Sequence, residues 1–226
     1  MNYGDWQAIG VTLRLAATTT LLLLVLGTPL AWWLARSRAR AVVWVESLVA
    51  LPLVLPPTVL GFYLLVLMGP QGAVGRALAA YDLPPLVFSF WGLVLASAIG
   101  SLPFMVQPLR DAFAAVPPRM LEAAASLRAG PLDALFSVAM PMARRGFVSG
   151  LTLTFAHTVG EFGVVLMVGG NIPGATRVLS IAIYDHTEAM NHLAAHLLSA
   201  GLLAASFAAL LVLHRTQRRQ SAAAAA

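Results

Sequence analysis

The chain has 226 residues, 59% of them apolar and only 10% charged, with a formal net charge of +5. With a mean hydropathy of +0.82, this composition is that of a polytopic membrane protein rather than a soluble domain. There is no cysteine, which excludes disulfides, thiolate nucleophiles and Cys-ligated metals. There is also no lysine, which excludes the P-loop lysine and any ordinary phosphate cradle for ATP within this chain.

Taken in order, five apolar runs are predicted to cross a hydrocarbon core of about 30 Å. The first, 15–35, ends at Trp32 and Trp33 and is followed at once by Arg36, Arg38 and Arg40, marking a cytoplasmic end. The basic-poor residues before it are unlike the n-region of a cleaved signal, so it is expected to be a retained helix with the N-terminus outside. The second, 47–69, carries Pro52, Pro56 and Pro57 and should be bent or broken where neighbouring helices can satisfy the freed carbonyls. The third covers 86–109, the fourth 146–168 and the fifth 193–213. Residues 1–219 are expected to form one membrane domain, with 220–226 a disordered low-complexity tail. Eleven arginines then fall on the cytoplasmic side and two, Arg76 and Arg177, outside, with Arg14 at the outer edge of the first span. This asymmetry orients a membrane protein with its C-terminus inside, and its dispersal over short loops argues against nucleic acid as partner. The expected fold is all-α, multi-pass, in a bacterial cytoplasmic membrane.

Between the third and fourth spans lies the longest polar-flanked stretch, VPPRMLEAAASLRAGPLDALFSVAMPMARR. Pro118 suits the first turn of a helix over 120–127, Gly130-Pro131 makes a corner, a second helix covers 132–139, and Pro141 closes it. Glu122 sits near the positive end of the first helix dipole, worth roughly 0.3–1 kcal/mol. Ala123, Ala124 and Ala125 leave that helix backbone open to a partner. Glu122-Ala123-Ala124, with Pro141 beyond, resembles the EAA loop (117–141) of ATP-binding-cassette (ABC) importer permeases. The resemblance implies cytoplasmic coupling helices that sit in a groove of an ATPase subunit, with Glu122, Ala123, Ala124, Arg128, Gly130 and Pro141 as coupling residues. One departure stands out: Arg128 occupies the place where that family usually has Gly, and Gly130 lies two residues later.

Within the fourth span, His157 and Glu161 are four residues apart and would share a helix face at bilayer depth. A metal or protease site would need more ligands than this His-x-x-x-Glu supplies, and a proton relay remains open. The reading adopted is a structural pair buried against neighbouring helices. Thr152, Thr154, Thr158, Ser97, Ser101 and Gln107 are candidates for an uncharged, hydrogen-bonding path through the bundle. The same hydroxyls could instead satisfy carbonyls within their own helices. Glu188, His192 and His196 recur at helical spacing at the outer end of the fifth span, and Gly201, Ala205 and Ala209 form a stripe for close helix approach.

FAHTVGEFGVVLMVGGNIPGATRVLSIAIYDH, with ALPLVLPPTVLGFYLL and LPFMVQPLRDAF, resembles bacterial molybdate ABC transporter permeases. The resemblance implies a type I (MetI-like) importer permease and ATP-driven alternating access. It also implies a homodimer of this subunit, two ABC ATPase subunits carrying ATP-Mg, and an external or periplasmic molybdate-binding protein. No cofactor is expected on this chain, and no catalytic or metal site. The alternatives are a permease for another oxyanion such as sulfate, or an ATP-independent anion channel or carrier.

Overall fold

The structure, a computed structural model, describes the backbone of residues 2–225 and the side chains of residues 2–211, 214 and 215. Its ordered elements are helical throughout the described residues. The first helix, α1 (Tyr3–Arg36), starts with a capping box in which Asn2 and Asp5 each accept the other's backbone N–H. Next come α2 (Ala41–Val54), α3 (Pro57–Met68), the short α4 (Ala73–Ala80) and α5 (Phe90–Ala114). The polar-flanked stretch forms α6 (Pro118–Ser126), α7 (Pro131–Ala134), a π-helical turn (Leu135–Ala139) and α8 (Met140–Met142). The chain closes with α9 (Arg144–Gly160), α10 (Gly163–Gly169), α11 (Leu179–Glu188) and α12 (His192–Ala225).

Four stretches are long and apolar enough to cross a membrane: Tyr3–Arg36, Pro57–Ala80, Phe90–Ala114 and His192–Leu211. The pair α9–α10, bent by 62°, makes a fifth. The run over 47–69, expected to be bent or broken at its prolines, is two helices, because Pro56 and Pro57 withdraw two N–H donors and leave Pro56 extended at ψ 133°. The backbone of α12 is helical through Ala225, alanine being the strongest helix former. The tail expected over 220–226 falls on residues whose side chains, with all of Ala226, lie outside the described residues. Glu188 ends α11 and His192 begins α12, with Met190 between them at φ 56°, so the three residues read as one helical stripe belong to two helices.

The core is a layer of three helices, α1, α5 and α9. Leu15 packs with Leu93 and Val94, while Leu23, Leu34, Met105, Leu109 and Phe113 fill the half towards the coupling stretch. The contacts advance in the same direction along α1 and α5, so these two helices run parallel. Helix α9 returns antiparallel, and two glycines set its distance from α5. A Cβ on Gly146 would lie 2.5 Å from Ala112 Cβ and 2.7 Å from the Pro108 carbonyl; one on Gly150 would lie 3.0 Å from Met105 Sδ. Such close approach is what small residues permit between membrane helices. Large apolar side chains on α2, α3 and α12 stay exposed, including Trp44, Val54, Tyr63, Leu203 and Phe207, which suits surfaces facing lipid or another helix.

At the end of the bundle that carries the N-terminus, α11 is fastened to the start of α1. His186 Nε2 lies 2.8 Å from Oδ1 of the buried Asp5, within hydrogen-bond distance, and the Leu179 N–H donates to Thr12 Oγ at 2.7 Å. At the other end, Arg36 donates to the carbonyls of Phe113 and Val116 at 2.9 and 3.0 Å, tying the last turn of α1 to the root of the polar-flanked stretch.

Candidate functional site

The polar-flanked stretch projects from the end of the bundle that carries Arg36. Its corner is not at Gly130-Pro131 as expected. Helix α6 ends at Ser126 with Leu127 as its cap, and Arg128 stands in the left-handed region at φ 61°, while Gly130 is extended at φ −70°, ψ 167°. The corner therefore stays at the position where the resembled family has glycine, and Arg128 adopts there a backbone shape that glycine takes without steric cost. Pro141 does not close the second helix. The π turn at Leu135–Ala139 precedes it and the helix continues to Met142, a wider turn being one way to seat a proline ring against the preceding carbonyls. Glu122 and Ala123 are exposed, but Ala124 is buried, so one of the three alanines does not face outward. Leu127, Leu132 and Phe136 are 86%, 71% and 63% exposed, an apolar surface on an otherwise polar elbow.

Deeper in the bundle the two interrupted spans meet. A Cβ on Gly163 would lie 3.0 Å from Pro57 Cβ and 3.5 Å from Thr58 N, so the break between α9 and α10 abuts the start of α3. A cavity of about 540 Å³ opens there, lined by Pro52, Pro57, Thr58, Gly100, His157 and Glu161, among others. Glu161 is not on a helix face with His157. It follows the last residue of α9 with extended backbone at φ −68°, ψ 134° and turns to α5, where one carboxylate oxygen accepts from Ser97 Oγ. The other oxygen is buried without a hydrogen-bond partner against Gly100, where a Cβ would approach it to 2.7 Å. His157 also turns to α5, with Nδ1 2.9 Å from Ser101 Oγ and its ring stacked on Phe104 at 4.2 Å. The two residues are structural partners of α5 rather than of each other, because the helix breaks before the face they would share is complete.

Of the six path candidates, Ser97, Ser101, Thr154 and Thr158 are buried in the contact between α5 and α9. Thr158 donates to the Thr154 carbonyl, and its hydroxyl is 3.0 Å from that of Ser101. Ser97, Ser101 and Thr158 thus bridge α5 and the broken span, the Thr154 hydroxyl is buried without a partner, and none of the four lines the cavity. Thr152 borders a separate space of about 560 Å³ against α12, and Gln107 one of about 250 Å³ between α2 and α5. Sequence reasoning missed Ser180, whose hydroxyl donates to the Glu161 carbonyl at 2.6 Å and so ties α11 to the broken span. It also missed Gly100 and Phe104. A serine and a glycine carry no signal of this kind alone, although a phenylalanine one turn from a candidate serine on an apolar helix could have been read as its neighbour.

An all-helical bundle with interrupted spans and a helix-corner-helix at one end defines a membrane transport subunit, and the chain belongs to the family of binding-protein-dependent transport system inner membrane components, which matches residues 27–220. It is 56% identical over 214 residues to the molybdenum transport system permease protein ModB of Azotobacter vinelandii, covering 95% of each chain. It is 37% identical over 180 residues to the protein of the same name from Escherichia coli K12, covering 80% of this chain and 79% of that one. Its fold matches, at a TM-score of 0.78 and 16% identity, a bacterial alginate ABC transporter solved in complex with an alginate pentasaccharide-bound periplasmic protein. That match covers 97% of this chain and 80% of the other. An amino acid ABC transporter solved with histidines matches at a TM-score of 0.60 and 19% identity, covering 96% and 94%.

Proposed function

We propose that this chain is the membrane-spanning subunit of an ATP-driven importer that carries molybdate inward across the bacterial cytoplasmic membrane. The observation that carries the transport reading is the elbow of α6 to α8, where Leu127, Leu132 and Phe136 stand exposed beside Glu122 and Ala123 at the end tied by Arg36. An apolar patch on a polar elbow fits a groove in a separate ATPase. Two ATPase subunits carrying ATP-Mg would grip two copies of the chain, and an external molybdate-binding protein would deliver the anion to their outer face. The choice of molybdate rests on likeness to molybdenum permeases at 56% and 37% identity.

In this reading the N-terminus is outside and the C-terminus cytoplasmic, as the eleven arginines on the inner side suggest. Closure of the ATPases pushes the elbow, α9 transmits the push to the break at Glu161, and the cavity there alternates between the two faces. A dianion has a desolvation cost of tens of kcal/mol in an apolar medium, so it needs the hydrated space that interrupted helices leave.

The test is purification with the partner ATPase, followed by ATP hydrolysis with a binding protein loaded in turn with molybdate, tungstate and sulfate. Stimulation by the molybdate-loaded protein is expected. Stimulation by sulfate alone would move the substrate to another oxyanion, and undiminished uptake by the chain alone in vesicles would replace the importer with a channel or carrier.

A further inference from the structure

Below the cavity at Glu161, a second space of about 250 Å³ lies between α2 and α5, lined by Leu34, Glu46, Val49, Gln107, Arg110 and Asp111. The two spaces lie along one face of α5. Gly100 borders the upper one, Phe104 is stacked on His157 between them, and Gln107 and Asp111 border the lower one, at spacings of about one helical turn. From Gly100 to Arg110 is about 15 Å along the helix. In the lower space the Arg110 guanidinium reaches Glu46 Oε1 at 2.7 Å through one terminal nitrogen and Asp111 Oδ1 at 3.0 Å through the other. It is the cation of that space, capped by one carboxylate from the facing helix and one from its own.

We propose that Arg110 is the cytoplasmic release site for the oxyanion, closed by Glu46 in this conformation and opened when α2 moves away from α5. The inference rests on the importer reading above. A guanidinium presents five N–H donors in a planar fork suited to tetrahedral oxyanions, and Gln107 adds a neutral donor beside it. With both carboxylates in place, the one arginine is outnumbered and the local charge is −1, so an anion is turned away. Removing Glu46 from the guanidinium frees the one terminal nitrogen that faces it and takes away one repelling charge together. The site thus accepts cargo from above only while the helices part, and reclosure of Glu46 expels it into the cytoplasm. No fixed cation remains bare to hold the anion.

Three variants test this: Glu46→Gln, Arg110→Gln and the double variant. Molybdate binding to the purified chain is measured by equilibrium dialysis, and ATP-dependent molybdate uptake by the reconstituted complex, in vesicles of phosphatidylcholine with and without phosphatidylglycerol. Glu46→Gln is expected to bind molybdate about tenfold more tightly than the native chain, as exposing one charge-assisted contact would do. The double variant should lose that gain, and Arg110→Gln should lower uptake about tenfold in both lipids while still assembling with the ATPase.

Equal binding by Glu46→Gln and the double variant would overturn the site. Restored uptake in the double variant would reduce the pair to a simple latch and overturn it as well. A defect of Arg110→Gln confined to phosphatidylglycerol vesicles would assign the arginine to a lipid headgroup, with the same consequence. A native complex that takes up no molybdate would overturn the importer reading for this anion, while the dialysis result still decides the site.

Discussion

Glu161 shows how a single residue's role depends on what its neighbours leave room for. It sits over Gly100, and a methyl group there would press on its unpartnered oxygen at 2.7 Å. Gly100→Ala should therefore lower stability by about 1–3 kcal/mol, the usual cost of overpacking. Gly160→Ala, where nothing lies within 4 Å of the added carbon, should be neutral or raise stability by up to about 1 kcal/mol. Thermal melts of the two variants in detergent would distinguish them, and equal melting temperatures would remove the packing argument. Arg128 offers a second contrast, because its φ of 61° suits glycine and opposes a β-branched residue. Arg128→Gly should keep or slightly raise the melting temperature, whereas Arg128→Val should cost about 1–2 kcal/mol.

Among the elements, the elbow and the α5–α9 contact are built for different purposes, and substitutions should separate them. Leu127 and Phe136 are exposed and carry little of the fold, so Leu127→Ser with Phe136→Ser should leave the stability within about 0.5 kcal/mol of native. The same pair should reduce co-purification with the ATPase at least severalfold; unimpaired co-purification would remove these residues from the docking surface. Gly146→Val attacks the other element, driving a branched side chain into Ala112 and the Pro108 carbonyl. It should destabilise the bundle by about 3 kcal/mol or more and increase proteolysis of α9. The elbow's boundaries were legible from Pro118, Gly130 and Pro141 only to within a few residues. Its corner was misplaced because the glycine was taken as the mark of the turn, whereas the chain turns at Arg128 and leaves Gly130 extended.

For the molecule as a whole, absence of cysteine makes topology directly measurable. A single cysteine replacing Leu127 should react with a membrane-impermeant maleimide only after the membrane is opened, and one replacing Tyr81 should react in intact cells. The reverse pattern would place the elbow outside and end the importer reading. The sequence by itself determined what depends on composition and local chemistry: a lysine-free, apolar, helical membrane chain, an uneven spread of arginines over its loops, and an elbow between two apolar runs. Only the tertiary structure decided what lies across from each polar residue. His157 and Glu161 are near in sequence, yet the helix ends between them and each meets a serine more than fifty residues away on α5. The same holds for Glu46 and Arg110, two ordinary loop-flanking charges until α2 and α5 pack side by side. Helical periodicity fixes which residues share a face of one helix, but the partner of that face is set by packing between segments distant in the chain, and there the energetics of buried polar groups are decided.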